Sequence, residues 1–430
     1  MRTPAISLLL LLLVGLWTLS TNSCNKDDDV DPIPSPVITE FSPASGLVGK
    51  TVTIYGNHFT PTVPEDQGTG PHANTSIVKI NGVVAEAMFV YQDDIDRQRI
   101  NAEVPEGASS GKITITANGM TTQSTEDFLV TIPIYLPNVT VSTAISGVGA
   151  DLARDNDGNF YLTENHYFRI VKRSPDGSET VLLSTADEPA RPLPLGIALD
   201  KHNNIYATVG MAIRKITPDG TVSLLAGGEE WGFADGQGSD ARFNFPWGLE
   251  VDDIGNVYVA DMLNCRIRKV TPDGWVTTIA GGDCDFENES SDPTKLVGPM
   301  DVTMDNYGNL IVAHRGISKI TPDGMVHALT GNIIGYYDGP AQEAHFNRPR
   351  SVEVDANDNI YFTDSDNFVV RRLGSDGNVT TVAGSTPGNI DGTGENAKFG
   401  QTLGMIMDDE GALYLTQGGG LNGIRKIVIN

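Results

Sequence analysis

The chain has 430 residues, a formal charge of −26 and three cysteines. This acidity disfavours nucleic acid and anionic lipid as partners, because both repel negative charge. Three cysteines are too few for a disulfide-rich scaffold. We therefore expect an acidic protein whose stability comes from a packed core.

The first 23 residues have the pattern of a signal peptide. Arg2 precedes an apolar run from Ile6 to Leu19, and small polar residues follow. The run is too short and wrongly flanked for a transmembrane helix. We predict that residues 1–23 are removed on export.

Cys24 follows Thr21-Asn22-Ser23, which resembles a bacterial lipobox with Cys24 as the lipidated residue, although leucine is usual where Thr21 stands. The alternative is an ordinary signal peptide with an incidental cysteine. Residues 25–29 resemble the acidic export signals of surface lipoproteins in the Bacteroidetes; the alternative is a simple solvated tether. Residues 24–35 are rich in Asp and Pro, which predicts a flexible tether. The resemblance implies a surface-exposed outer-membrane lipoprotein, held to the membrane by acyl chains alone.

Residues 36–132 are rich in strand-forming residues and lack helical periodicity. Short strand patterns alternate with turn signals such as Asn81-Gly82, which favours a β-sandwich. The predicted strands are Val37–Phe41, Thr51–Tyr55, Ser76–Ile80, Glu86–Tyr91, Ile100–Val104, Lys112–Ala117 and Asp127–Val130.

This segment resembles an IPT/TIG domain, which has an immunoglobulin-like fold. The resemblance is carried by Phe41-Ser42-Pro43-Ala44-Ser45-Gly46, Val52-Thr53-Ile54-Tyr55-Gly56 and Ile80-Asn81-Gly82-Val83. It implies a spacer or contact module, whose glycines and prolines serve the fold.

Residues 137–430 contain a repeated unit of four short strand patterns. An aspartate closes the first strand of each copy, and the copies are about 45 to 53 residues apart, a spacing typical of propellers and repeat arrays. Pro-Asp-Gly turns join the third and fourth strands of several copies. The aspartates are Asp155, Asp200, Asp252, Asp305, Asp355 and Asp408.

The unit resembles the NHL repeat, so 137–430 is similar to a six-bladed NHL β-propeller. The resemblance is carried by Gly-Leu-Glu-Val-Asp (248–252) and Arg-Ile-Arg-Lys (266–269), and by loops of the form Gly-x-x-Asp-Gly followed by Ala-x-Phe. The last copy ends at a third strand, whereas residues 139–147 resemble an isolated fourth strand. We predict that this segment pairs with residues 423–429 and closes the ring, which removes two sheet edges. The fold class is therefore all-β, an immunoglobulin-like sandwich followed by a propeller.

The long connections between copies should lie at one end of the propeller, where binding sites are commonly built. Trp247 opens a first strand near these loops, and Arg350 breaks the repeat pattern at a similar place. A third position, nine residues after each repeated aspartate, should also face this end. Around the ring it reads Glu164, Val209, Asp261, His314, Asp364 and Gln417.

Two interpretations of that ring remain open. Glu164, Asp261 and Asp364 could hold calcium, which prefers oxygen ligands, or could bind a sugar or peptide. Alternatively, Asp261 and Asp364 brace their turns by bonding to Asn264 and Asn367. His314 departs from the repeat, which makes it a candidate ligand-binding residue beside Trp247, Asp261, Arg350 and Asp364.

Cys265 and Cys284 are placed to form a disulfide. Cys265 begins a third strand, and Cys284 follows the fourth strand of the same hairpin. Counting back from the turn puts residue 265 across from about residue 281, so a short bend brings the sulfurs together. The alternative is two free thiols.

The sequence carries no nucleophile elbow, zinc-protease motif or phosphate loop. The lack of these motifs favours a binding protein that takes a glycan or protein ligand at the loops. We expect it to be a monomer, and the net charge argues against a nucleic-acid partner. The first alternative is a metal-dependent hydrolase or lactonase. The resemblance alone implies it, because six-bladed propellers of that kind carry a calcium-type site on the axis. The second alternative is a structural scaffold of the envelope.

Overall fold

The computed structural model describes residues 34–59, 76–90, 98–117, 119–145, 149–282, 284, 292, 294–418 and 423–430. The predicted signal peptide and Cys24 lie outside these residues. Among the described residues, no helix is long and apolar enough to cross a membrane.

The first folded region is a β-sandwich, as predicted. One sheet has the order β1-β3-β7-β6 and the other β2-β9-β8-β4-β5. Alternating residues of both sheets, such as Ile54 and Ile115, bury their side chains between them. The strands are β1 Val37–Ser42, β2 Ser45–Gly46, β3 Thr51–Asn57, β4 Ile77–Ile80, β5 Val83–Val84, β6 Ala87–Val90, β7 Gln98–Glu103, β8 Gly111–Ala117 and β9 Met120–Val130.

The next strands are β10, which belongs to blade 6, and the strands of the first two blades. Blade 1 is β11-β12-β13-β14 and blade 2 is β15-β16-β17-β18, each an antiparallel meander. The bounds are β10 Val139–Ile145, β11 Leu152–Arg154, β12 Phe160–Glu164, β13 Arg169–Arg173, β14 Glu179–Ser184, β15 Pro194–Leu199, β16 Ile205–Val209, β17 Met211–Ile216 and β18 Val222–Gly228.

Blades 3 and 4 follow the same plan. Blade 3 is β20-β21-β22-β23, with β19 added outside β23, and blade 4 is β24-β25-β26-β27. The bounds are β19 Gly236–Gln237, β20 Pro246–Val251, β21 Val257–Asp261, β22 Arg266–Val270, β23 Trp275–Gly281, β24 Asp301–Met304, β25 Leu310–Ala313, β26 Ile317–Ile320 and β27 Val326–Ala328.

Blades 5 and 6 complete the ring. Blade 5 is β31-β32-β33-β34 with β29 outside β34, and β28 pairs with β30 in the loop before it. Blade 6 is β36-β37-β38 completed by β10, with β35 outside. The bounds are β28 Ile333–Ile334, β29 Gly339–Pro340, β30 His345–Phe346, β31 Pro349–Val354, β32 Ile360–Asp364, β33 Val369–Leu373, β34 Asn378–Gly384, β35 Gly392–Thr393, β36 Thr402–Met407, β37 Leu413–Gln417 and β38 Ile424–Ile429.

Single 3₁₀ turns follow the second strands of blades 1, 3 and 5, and another lies in the loop before blade 3. They span Asn165–Tyr167, Gly238–Asp240, Met262–Asn264 and Ser365–Asn367. Each repeated aspartate stabilises the turn between the first and second strands of its blade, at the end of the propeller opposite the 3₁₀ turns that follow the second strands. Asp252, for example, accepts hydrogen bonds from the backbone and side chain of Asn256, so these aspartates serve the fold.

The predicted ring closure is confirmed. β10 runs antiparallel to β38, with Val139 opposite Ile429 and Thr143 opposite Arg425. The first propeller strand is therefore the outer strand of the last blade, which leaves neither edge open.

The sandwich and the propeller belong to one compact unit, Ser35–Asn430. Buried Ser45 of the sandwich accepts a hydrogen bond from the backbone N–H of Tyr336, 2.9 Å away. Its hydroxyl also lies 2.6 Å from Nδ1 of His345 in the loop before blade 5. In the segment between the domains, the N–H of Ile134 donates to Asp338 at 2.6 Å. The sandwich thus makes specific contacts with blade 5.

Candidate functional site

The loop end of the propeller carries the connections between blades and the turns between second and third strands. We call the connection that precedes each blade its lead-in loop. Asp261 of blade 3 lies at this end, fully buried, and accepts hydrogen bonds from Arg268, Asn264 and the N–H of Asn244, each at 2.8 Å. Burial raises its pKa, and the arginine and asparagine bonds oppose that rise.

Asp364 of blade 5 repeats this arrangement. It accepts hydrogen bonds from Arg371 at 2.9 Å, Asn367 at 2.8 Å and the N–H of Asn347 at 2.6 Å. Burial raises the pKa of Asp364 to about 6, although Arg371 opposes the shift. Both aspartates therefore brace their own blades, which is the second of the two interpretations that the sequence left open.

A buried arginine organises blades 3, 5 and 6 in the same way. In blade 3, Arg268 also pairs with Asp235 of the lead-in loop at 2.6 Å, and Asp235 accepts a hydrogen bond from Thr278 of the outer strand. These contacts explain the Asp of the Gly-x-x-Asp-Gly loops, while the Phe of Ala-x-Phe packs on the arginine. The equivalent sets are Arg268–Asp235–Thr278, Arg371–Asp338–Thr381 and Arg425–Asp391–Thr143.

Blades 1 and 4 depart from this arrangement. Glu164 of blade 1 is buried between Arg169 and Arg173, with 2.6 Å from the carboxylate to each guanidinium. His314 of blade 4 is buried, and its Nε2 lies 2.8 Å from the hydroxyl of Ser318. Burial lowers the pKa of His314 to about 4, so the ring is neutral at pH 7.

The ring residues do not fit calcium. Glu164, Asp261 and Asp364 each bond to arginine within their own blade, and a cation would have to displace those arginines. Among the described residues, no group of three or more His, Cys, Asp or Glu side chains is placed to hold a metal ion. The three carboxylates are thus not brought together as the calcium interpretation requires.

Trp247 and Arg350 are brought together. They occupy the same repeat position in blades 3 and 5, and the Arg350 guanidinium lies 4.5 Å from the centre of the Trp247 ring, in cation–π geometry. Trp247 also packs against Phe245, with ring centres 5.4 Å apart. Because these residues begin the innermost strands, their stack lies at the loop end of the central channel.

Two aspartates that the sequence reasoning missed lie in this channel. Asp151 of blade 1 accepts a hydrogen bond from the N–H of Ile197 in blade 2 at 3.0 Å. Asp301 of blade 4 accepts bonds from the hydroxyl of Ser351 at 2.8 Å and the N–H of Val352 at 3.1 Å, both in blade 5. Each aspartate therefore ties its blade to the next.

A signal for these aspartates is present in the repeat. Four residues before each repeated aspartate, the copies read Asp151, Gly196, Gly248, Asp301, Ser351 and Gly404. The glycines leave room for the carboxylates: a Cβ on Gly248 would lie 2.1 Å from Asp301, and one on Gly404 would lie 2.1 Å from Asp151. Comparing the copies at this position would have identified the pair.

Burial shifts the channel carboxylates towards their protonated forms. Burial, followed by the charge of Asp301, raises the pKa of Asp151 well above its usual value. Burial raises the pKa of Asp301 and of Glu250 to about 7, and that of Glu353 well above its usual value. Both glutamates keep some accessible area, because they line a cavity of about 230 Å³ on the axis. This cavity can hold water or a small polar group.

The predicted disulfide between Cys265 and Cys284 is present, with the Cα atoms 5.4 Å apart. Cys265 has a left-handed backbone conformation at the end of the 3₁₀ turn, and the N–H of Gly282 donates to its carbonyl at 3.0 Å. The bond fixes the start of the lead-in loop of blade 4 to blade 3.

Comparisons with known proteins agree with this architecture. Residues 36–131 match the IPT/TIG domain family. The chain is 28% identical over 221 residues to Protein Suppressor of Quenching 1 of Arabidopsis thaliana, covering 45% of this chain and 21% of that protein. It is 34% identical over 102 residues to NHL repeat-containing protein 2 of Gallus gallus, covering 22% and 14%. The chain therefore spans about a fifth or less of the length of these curated relatives.

Several solved structures share the fold over nearly the whole chain. An auxiliary nutrient binding protein of Bacteroides thetaiotaomicron has 17% identity and a TM-score of 0.52, covering 93% of this chain and 98% of that one. Another, from Bacteroides ovatus, has 15% identity and a TM-score of 0.51, covering 93% and 99%. At these identities the similarity shows the fold alone: an immunoglobulin-like domain followed by a β-propeller.

Proposed function

We propose that this chain is a surface-exposed lipoprotein of the bacterial outer membrane that binds a glycan or protein ligand at the loop end of its propeller. The observation that carries the binding proposal is the stack of Arg350 on Trp247 at the loop end of the channel, which we call the channel mouth. The acidic cavity lies further along the same strands, where its lining includes Asp151 and Glu250. Arginine and tryptophan are the side chains most often dominant in binding. Here they are the charged and the aromatic exception at a repeat position that is aliphatic in the other four copies.

The chemistry of the mouth suits a ligand that combines apolar faces with polar groups. Trp247 and Phe245 offer ring surface, while Arg350 offers hydrogen-bond donors, and its Nε has no partner among the described residues. Burial lowers the pKa of Arg350 only to about 10, so it stays charged at pH 7. Sugars and peptides both present such mixed surfaces. Two solved structures that share the fold are nutrient binding proteins by description, which supports a binding role here.

The binding proposal can be tested with glycan and protein arrays, followed by titration calorimetry on the best ligand. Trp247→Ala and Arg350→Ala should each weaken binding by about 1–3 kcal/mol and leave the melting temperature nearly unchanged. Trp275→Ala is the matched control, because Trp275 is exposed beside the Pro-Asp-Gly turn at the other end. Affinity that survives both mouth substitutions would place the ligand elsewhere.

The anchoring proposal rests on the lipobox-like sequence before Cys24 and on the acidic residues after it. Cys24→Ala should release the protein from the membrane fraction, because acyl chains are the only strong membrane signal predicted. Protease treatment of intact cells should degrade the wild-type protein. A membrane-bound Cys24→Ala variant would refute the lipoprotein assignment, and complete protection from protease would place the protein on the periplasmic side.

A hydrolase is the second candidate. The observation that favours it is the set of buried channel carboxylates, since a pKa near 7 suits a general acid or base. Hydrolysis of a lactone and ester panel, abolished by Asp301→Asn and Glu250→Gln, would support this candidate. An inert wild-type protein that still binds its ligand would leave the binding proposal alone.

A further inference from the structure

The outer edges of three blades are covered by short strands of the chain itself. β19 lies against β23 with Gly236 opposite Val276, β29 against β34 with Gly339 opposite Val379, and β35 against β10 with Gly392 opposite Val141. The three valines retain at most 4% of their accessible area. The lead-in loops of blades 3, 5 and 6 therefore protect the edges of their sheets.

Blade 2 has the same outer strand without a cover. β18 is the last strand of its sheet, and the lead-in loop of blade 2, residues 185–193, contributes no strand. Val222 lies opposite Ile216, as Val276 lies opposite Val270, yet it is 39% exposed. The position that Thr278 holds in blade 3, opposite the buried arginine, is taken in blade 2 by Leu224, which is 52% exposed.

The uncovered strand also lacks the usual protection of an exposed edge. Exposed edges normally carry charge or are very short. The outer strand of blade 1 begins with Glu179, which pairs with Arg169 and Arg173, and that of blade 4 spans only Val326–Ala328. β18 has seven residues, Val-Ser-Leu-Leu-Ala-Gly-Gly, and no charge. Among the described outer strands without a covering strand, β18 is thus the longest, and it lacks the charge found in β14.

A groove of about 640 Å³ lies beside this edge. Its wall includes Leu193, Met211, Leu224 and Phe245. Arg214, which occupies the position of the buried arginines, is held to one side by a bidentate pair with Glu188, both bonds at 2.7 Å. The short lead-in loop supplies no Ala-x-Phe motif here, so the groove can receive apolar side chains from outside.

We propose that the outer edge of β18 binds an extended segment of a partner polypeptide, which adds to blade 2 as a fifth strand. A polypeptide is the expected occupant because, among the described residues, extended polypeptide covers the outer edges of blades 3, 5 and 6. β19, β29 and β35 pair antiparallel to the outer strands, and Tyr135 also bridges Thr381 of β34 in parallel orientation. Open-edge N–H and C=O groups bind strands by the same hydrogen bonds. The segment covers Val222 and places an apolar side chain against Leu224 and Leu193. Phe245 borders both this groove and the channel mouth, but Val222 and Leu224 belong to the outer strand of blade 2, so the proposal does not depend on the function proposed above.

The probe is a library of short random peptides displayed on phage and selected on the full-length chain in detergent. Labelled copies of the enriched peptides are then titrated by fluorescence polarisation. Leu224→Lys should weaken binding by about tenfold or more, because it places a charge in the apolar contact. Val181→Lys is the matched control: Val181 holds the same position on blade 1 and is 49% exposed, so its affinity should match the wild type.

Hydrogen exchange gives a second readout on the same complex. The peptide should slow exchange of the backbone amides in residues 221–225 and leave those of β14 unchanged. The proposal is overturned if selection enriches no peptide, if Leu224→Lys binds as well as Val181→Lys, or if Trp247→Ala weakens the peptides as strongly as Leu224→Lys. Unchanged melting temperatures of both lysine variants would confirm that the comparison concerns folded protein.

Discussion

Blades 3, 5 and 6 agree with one another, whereas blades 1, 2 and 4 each depart from them. The first three share a fully buried arginine that joins the lead-in loop to the second strand. At the same register position the other three have Val171, Arg214 and Ser318. Contacts that recur between copies therefore serve the fold. A position at which one copy differs from the others is a better candidate for a specific function.

The channel shows the same contrast more sharply. One position of the innermost strands has an aliphatic side chain in four copies, Ala150, Leu195, Met300 and Leu403, but an aromatic one, Trp247, in blade 3 and a charged one, Arg350, in blade 5. The next position is glycine or serine in four copies but Asp151 and Asp301 in blades 1 and 4. The departures thus cluster on the axis, which is why we place the candidate site there.

The largest expected effect concerns blade 6, because its outer strand comes from the opposite end of the propeller sequence. Deleting residues 137–147 removes β10, together with the bonds from Thr143 to Asp391. Asp391 then loses one of its links and β38 becomes an open edge. We expect the cooperative unfolding of the propeller to collapse in calorimetry. An unchanged melting profile would show that the ring does not depend on this strand.

The second prediction compares the same arginine position in two blades. Arg371→Ala leaves Asp364 and Asp338 buried without their cation, which should lower the free energy of unfolding by about 3–5 kcal/mol. Arg214→Ala in blade 2 breaks a pair whose side chains retain 21% and 35% exposure, so its loss should be about 1 kcal/mol or less. Urea denaturation of both variants measures the difference. Equal losses would mean that the buried sets are no more structural than the surface pair.

Much of the fold could be predicted because the same turn residues recur in successive copies of the repeat. The strand β10 was identifiable because it lacked a third strand before it, and Cys265 and Cys284 because both lie at one end of a hairpin. Asp261 and Asp364 were ambiguous for a physical reason: their partner arginines are seven residues away and could equally have faced solvent. The contact of Trp247 with Arg350 joins blades on either side of blade 4, and no local pattern encodes that distance.

The buried histidines and the channel carboxylates affect stability in opposite directions as the pH changes. Burial lowers the pKa of His314 and of His345, each to about 4, so their contribution to stability is full above pH 6.5 and is lost as the pH falls. Burial raises the pKa of the channel carboxylates, so their contribution is full below about pH 4 and is lost as the pH rises. Stability between pH 4 and 7 thus reflects two opposing trends.

The smallest predicted effect isolates the channel trend. The pKa of Asp301 is about 7 in the folded chain against an ordinary 3.8, so the folded state binds the proton more tightly and loses stability as the pH rises from 4 to 7. The side-chain amide introduced by Asp301→Asn would keep an oxygen that accepts from Ser351 and Val352 without titrating. Asp301→Asn should therefore flatten the fall in melting temperature towards pH 8, whereas Asp376→Asn, at an exposed turn, should follow the wild type. If the melting temperature of Asp301→Asn changes with pH in parallel with that of the wild type, the carboxylate does not carry the proton that its burial implies. The hydrolase candidate would then lack Asp301 as a general acid.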